Sequence, residues 1–84
     1  MKQWFVYILR CSDGTLYTGS TDDVARRVQA HNSGKGAKYT RGRAPVEVVY
    51  CEGCESHSEA LKREYAIKQL TRQQKWNMIQ SPKP

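Results

Sequence analysis

The run "WFVYILR" from Trp4 to Arg10 constrains the fold most strongly. Successive side chains of a strand point to opposite faces. Here both sets are apolar: Trp4, Val6 and Ile8 on one face, Phe5, Tyr7 and Leu9 on the other. Such a strand is central and needs cover on both sides. The chain has 84 residues, so most of its remaining length goes into two covering layers. It is read as a single domain spanning 1–84.

Leu16 to Ser20, "LYTGS", is expected to pair with that strand as a hairpin. The connection Ser12-Asp13-Gly14 fits a three-residue loop that closes on Cys11 and Thr15, with Gly14 at the left-handed position. A two-residue Asp-Gly turn would put Tyr7 and Tyr17 on opposite faces. The three-residue register pairs Leu9 with Tyr17 and Tyr7 with Gly19. The two phenols then share a face, diagonally about 7–8 Å apart at the backbone. Glycine inside a strand weakens its pairing and has no side chain to pack; ordinary core tyrosines with a bulge at Gly19 are the plain alternative. Gly19 is expected to leave open space beside Tyr7.

The remaining elements follow from caps and periodicity. Asp22 to His31 reads as a helix, with Thr21 or Asp22 as N-cap, acid in the first turn and Gly34 at its end. A glycine-rich basic loop, "GKGAKYTRGRAP", comes next. Val46 to Cys51 reads as a third strand. "SHSE" at Ser56 starts a helix running towards Leu70, and "TRQQ" at Thr71 starts another with Trp76 and Ile79 inward. The order is ββαβαα, an α/β layered domain with a three-stranded antiparallel sheet flanked by helices.

Two helical positions are out of character. Val24 and Val28 mark the buried face of the first helix, and Arg27 and His31, four apart, flank it. Snorkelling and a half-buried imidazole would explain them without function. In the second helix Ala60, Glu64 and Ile67 share a stripe, with Leu61 beside it. Glu64 must then find a cation, a metal or hydrogen-bond donors. An ion pair to Lys68 at i+4 is the plain alternative.

The formal net charge is +6, which suits a polyanion such as nucleic acid. No apolar run is long enough to span a membrane, and no secretory pattern opens the chain. A cytoplasmic location and no membrane partner are expected. Three cysteines leave one unpaired. Cys51 and Cys54 form one C-x-x-C, to which Cys11 and His57 would have to be added for zinc.

These residues together resemble the GIY-YIG nuclease superfamily. "VYI" at Val6 to Ile8 and "YTG" at Tyr17 to Gly19 resemble the two halves of its signature, with Phe5, Val6 and Thr18 as departures. "RRVQAHN" resembles its helix motif, placing Arg27 at the arginine position and His31 at i+4. "EALKREYAIK" resembles the segment that carries the metal-binding glutamate, which falls on Glu64. The resemblance covers almost the whole chain. With its short length and the "HNSGKGAKYTRGR" loop, the chain looks most like the small stand-alone bacterial members. It also resembles the nuclease module of eukaryotic structure-specific endonucleases, without their zinc module. The family's late asparagine has no clear counterpart, since Asn77 sits in a helical pattern. Phe5 in place of glycine narrows the approach to the sheet.

The resemblance implies hydrolysis of DNA phosphodiester bonds with one divalent metal, magnesium or manganese, in DNA repair or recombination. Glu64 would hold the metal against a non-bridging phosphate oxygen and the leaving oxygen. Tyr7 would deprotonate or position the attacking water, which requires a neighbouring cation or the metal to lower its pKa. Tyr17 would orient water or phosphate, and Arg27 would neutralise developing charge. His31 would share proton transfer or hold Tyr7 in place.

In the loop, Lys35, Lys38, Arg41 and Arg43 would contact phosphates, which positions nucleic acid without reading sequence. Tyr39 would stack on an exposed base. A solvated basic loop is the plain alternative. Two other functions compete: a nucleic-acid-binding module with little catalysis on the same scaffold, and a zinc or redox protein built on Cys11, Cys51, Cys54 and His57. A protein partner that delivers the domain to its substrate is compatible with the first two.

Overall fold

The structure, a computed structural model, describes residues 3–80. In chain order it contains β1 (Trp4–Arg10), β2 (Leu16–Thr21), α1 (Val24–Asn32), a 3-10 turn (Lys38–Thr40), β3 (Glu47–Cys54), α2 (His57–Lys68) and α3 (Arg72–Gln80). The sheet order is β2-β1-β3, with both pairings antiparallel. The expected ββαβαα order and central first strand are therefore observed.

Cover on both faces of β1 follows from its sequence. Val6 and Ile8 pack with Cys54 and with Ala60 and Ile67 of α2, and Met78 and Ile79 of α3 join them. Tyr7 and Leu9 pack on the other face with Cys11 and Val46, against Tyr17 and Val28 of α1. Val6, Tyr7, Ile8 and Leu9 are each at most 1% exposed. Burial stabilises by roughly 1.5–3 kcal/mol for an aliphatic side chain of this kind, which makes β1 the anchor of both layers.

The hairpin closes as the parity argument requires. Cys11 N–H donates to Thr15 O at 2.8 Å and Gly14 N–H to Cys11 O at 2.9 Å. Gly14 has φ +84°, a conformation that an L side chain rarely tolerates. The register pairs Leu9 with Tyr17 and Tyr7 with Gly19.

Element ends differ from expectation in identifiable ways. The N-cap of α1 is Asp23, whose carboxylate accepts from Arg26 N–H at 3.1 Å, and its first turn holds no acid. Thr21 is instead the last residue of β2, and its hydroxyl accepts from Asp23 N–H at 3.1 Å. β3 runs three residues beyond Cys51, because β1 offers Trp4 as a pairing partner for Cys54. It also begins one residue later, and it carries an irregularity: Ile8 pairs with Tyr50 but Leu9 with Val48, so Val49 is the extra residue. Leu61, expected beside the buried stripe of α2, is 49% exposed. Both capping signals work. Ser56 accepts from Glu59 N–H, and Thr71 and Gln74 each bond the other's backbone N–H. Glu59 departs from the full box by taking Glu55 N–H.

Candidate active site on the Tyr7 face

Tyr7 and Tyr17 share a face, with ring centroids 6.4 Å apart. The open space expected at Gly19 is not there. A Cβ at Gly19 would lie 2.6 Å from Tyr7 Oη and 2.8 Å from its Cζ. The missing side chain is replaced by the Tyr7 ring itself. The glycine lets the phenol cross its neighbour strand and reach His31, whose Nε2 lies 3.1 Å from the hydroxyl.

His31 is not at the edge of the buried face of α1. It is that face: it is 0% exposed and the buried residue of the helix, while Val24 and Val28 are partly exposed. Its ring lies 5.2 Å from the Tyr17 ring, and its Nδ1 is 2.7 Å from Thr40 Oγ1. Gly36 presses flat against it, so that a Cβ there would sit 2.8 Å from His31 Cα. An imidazole is tolerated at this depth because both nitrogens are hydrogen-bonded.

Arg27 stands one turn before His31 and is partly buried. Burial pushes the Tyr7 phenol above its usual range; the Arg27 guanidinium pulls the other way without prevailing, and the Tyr17 and Glu64 charges add to the rise. The protein groups around Tyr7 therefore do not supply the lowered phenol pKa that a phenolate base requires. His31 is held below its ordinary value by burial and then by Arg27, so the ring is neutral at pH 7.

Glu64 approaches from the other layer. Parity turns Ser20 towards α2, and its hydroxyl donates to Glu64 Oε1 at 2.6 Å. Lys68 Nζ pairs with Oε2 at 2.6 Å, so the expected i+4 ion pair exists. Burial alone would raise the carboxyl pKa, but Lys68, Ser20 and the more distant His57 outweigh it and hold the group ionised. Ser20 follows Gly19 in edge strand β2, so Glu64 and Tyr7 approach from the two sides of that strand. Tyr7, Tyr17, Arg27 and His31 thus gather on one face, and Glu64, bonded to Ser20, lies across β2, near enough for its charge to act on Tyr7.

The basic loop is folded onto the same cluster. Tyr39, 43% exposed, stacks on Tyr17 at 5.8 Å, and the Arg43 guanidinium lies 4.6 Å from the Tyr39 ring centre. Arg43 also pairs with Asp13 at 2.6 Å, which ties the loop to the hairpin turn. Lys35, Lys38 and Arg41 are exposed. A cavity of about 170 Å³ beside Tyr39 is lined by Thr15, Leu16, Arg72 and Lys75, so α3 adds two cations to this surface. A larger cavity of about 630 Å³ lies elsewhere, along β3 by Glu52, Arg63 and Ile79, and contains none of these residues.

Sequence reasoning did not single out Thr40, Gly36, Ser20, Arg72 or Lys75. Parity alone could have turned Ser20 towards α2. Nothing in the loop sequence marks Thr40. The zinc reading fails on geometry. Cys11 and Cys54 lie in the two separate cores, Cys51 is exposed, and His57 stacks on Trp4 at 3.9 Å. Among the described residues no group of three metal-ligating side chains forms, and no helix is long and apolar enough to cross a membrane. Asn77 is exposed and bonded to Gln73 at 3.1 Å.

A paired-tyrosine hairpin with arginine and histidine on the following helix and glutamate on the next defines a recognisable class. Residues 3–77 match the GIY-YIG catalytic domain, and the chain belongs to that nuclease-type family. Its relatives include small UPF0213 proteins. One from Staphylococcus epidermidis is 62% identical over 80 residues, covering 95% of this chain and 98% of the relative. One from Staphylococcus aureus is 60% identical, covering 94% and 96%. The solution NMR structure of the UPF0213 protein of Bacillus halodurans superposes with a TM-score of 0.62 at 48% identity, covering 95% of this chain and 85% of that one.

Proposed function

We propose that this protein is a metal-dependent endonuclease that hydrolyses DNA phosphodiester bonds with little sequence preference. The observation that carries the reading is the Tyr7–His31 hydrogen bond beside Arg27, with the ionised Glu64 across β2. Arg27 supplies fixed positive charge for a phosphate gaining negative charge, a task its planar fork suits. Tyr7 positions the attacking water through its neutral phenol, and Tyr17 orients water or phosphate at the open side of the cluster. Lys35, Lys38, Arg41 and Arg43 hold the flanking backbone, with Tyr39 at the level of the bases.

A single hard carboxylate, kept ionised, fits magnesium or manganese. Magnesium is typically held by one or two carboxylates, with substrate phosphate and water completing its shell. Glu64 would hold the ion, which when bound would offset charge on the phosphate. Repair or recombination in the cytoplasm, with a partner protein delivering the domain to DNA, is the setting that such backbone-reading chemistry suits.

The test is a panel of labelled single-stranded, nicked, branched and flapped DNAs with magnesium or manganese, run beside Glu64→Ala and Arg27→Ala. Cleavage that survives unchanged in Glu64→Ala removes the assignment. One observation favours the second reading, a binding module with weak catalysis: Lys68 already occupies Oε2 of Glu64 at 2.6 Å. Salt-sensitive DNA binding without product over long incubation would select that reading.

A further inference from the structure

The loop between α1 and β3 does more than carry cations. Thr40 is 1% exposed, and its hydroxyl oxygen lies 2.7 Å from His31 Nδ1 and 2.9 Å from the Ala37 carbonyl oxygen. A hydroxyl has one proton and two lone pairs, and a carbonyl oxygen only accepts. The contact with Ala37 therefore takes the Thr40 proton. Thr40 then presents a lone pair to Nδ1, and Nδ1 carries the imidazole proton. A neutral imidazole has one N–H, which leaves Nε2 bare and facing the Tyr7 hydroxyl at 3.1 Å.

The other tautomer would turn the Thr40 proton towards Nδ1. Two oxygens would then sit 2.9 Å apart with no proton between them, in a buried site where such a mismatch is costly. Turning the ring over is no alternative, since it would place ring carbons against the Tyr7 and Thr40 hydroxyls and lose both hydrogen bonds.

We propose that Thr40 is a positioning residue that fixes the His31 tautomer, so that bare Nε2 takes the phenolic proton of Tyr7 during catalysis. This rests on the nuclease reading. As water oxygen bonds to phosphorus and the phosphorus–leaving-oxygen bond breaks, a water proton passes to Tyr7 Oη. The phenolic proton passes to His31 Nε2, and the leaving oxygen takes its proton from solvent. Nδ1–H stays on Thr40 throughout. The imidazolium, buried beside Arg27, then returns its Nε2 proton to Tyr7 Oη, which releases one proton to water. The phenol never has to stand as a resting phenolate.

The test is ¹⁵N NMR of His31 in the intact protein, with cleavage assays of Thr40→Val and Thr40→Ser. The wild type is expected to show a neutral ring protonated at Nδ1. Thr40→Val is expected to lose that tautomer and to cleave about tenfold more slowly or worse, while Thr40→Ser retains both. A wild-type His31 protonated at Nε2 overturns the proposal, as does a Thr40→Val protein with unchanged tautomer and rate. If Thr40→Val does not fold, the wild-type tautomer and Thr40→Ser decide. An Nδ1–H ring in a wild-type protein that never cleaves DNA leaves the tautomer standing and overturns the nuclease reading.

Discussion

The hydroxyl of Ser20 donates to Glu64 Oε1 at 2.6 Å, tying helix α2 to edge strand β2 one residue from Gly19. Hydrogen bonds to a charged group contribute about 1.5–3 kcal/mol. Ser20→Ala is expected to destabilise the fold at the lower end of that range, because Lys68 still holds Oε2. Urea unfolding measures it. Metal-dependent cleavage should fall further than stability does, since the carboxylate loses its fixed orientation.

The pH dependence of stability follows from His31. Its folded pKa lies below the ordinary value of 6.5, so the unfolded chain takes up the proton first as pH falls. Stability therefore rises with pH between the folded pKa and about 6.5, and the His31 contribution is flat above that. Denaturant unfolding of a His57→Gln background at pH 5 and pH 7.5 should show the slope. Adding His31→Gln should remove the His31 part of that slope and leave only the smaller carboxylate contribution.

Gly19→Ala should act through Tyr7. The new methyl group would lie 2.6 Å from the phenolic oxygen, so the ring must leave Gly19 and with it the bond to His31. Overpacking of this kind costs roughly 1–3 kcal/mol. Thermal unfolding measures that loss, and the expected cleavage loss is at least as large as that of Tyr7→Phe.

The basic loop should govern salt sensitivity. Removing Lys35, Lys38 and Arg41 together should weaken DNA binding at low salt and reduce the steepness of its salt dependence by about one phosphate contact per residue. Fluorescence anisotropy across a salt series reads this. Arg43→Ala should differ, since it also loses the Asp13 pair and uncovers Tyr39.

Much of the candidate site's geometry was legible in the sequence, through parity and spacing. Strand parity placed Tyr7 and Tyr17 on one face and Gly19 opposite Tyr7. Helical spacing put Arg27 and His31 one turn apart. What it could not give was depth. Two valines look more apolar than a histidine, yet His31 takes the centre of the α1 interface because Tyr7 and Thr40 satisfy both its nitrogens. Thr40 comes from a loop with no periodicity, so no pattern could bring it to His31. The gap at Gly19 looked like room for a ligand, because register fixes which residues face each other but not how far a phenol leans.

The most direct measurement of the central claim is metal-dependent cleavage of a branched DNA by purified wild-type protein beside Glu64→Ala and Tyr7→Phe. The account predicts product that requires magnesium or manganese. It also predicts that each variant falls by about 100-fold or more, as loss of a proton-transfer group or a metal carboxylate would produce. Equal cleavage by wild type and both variants would contradict it.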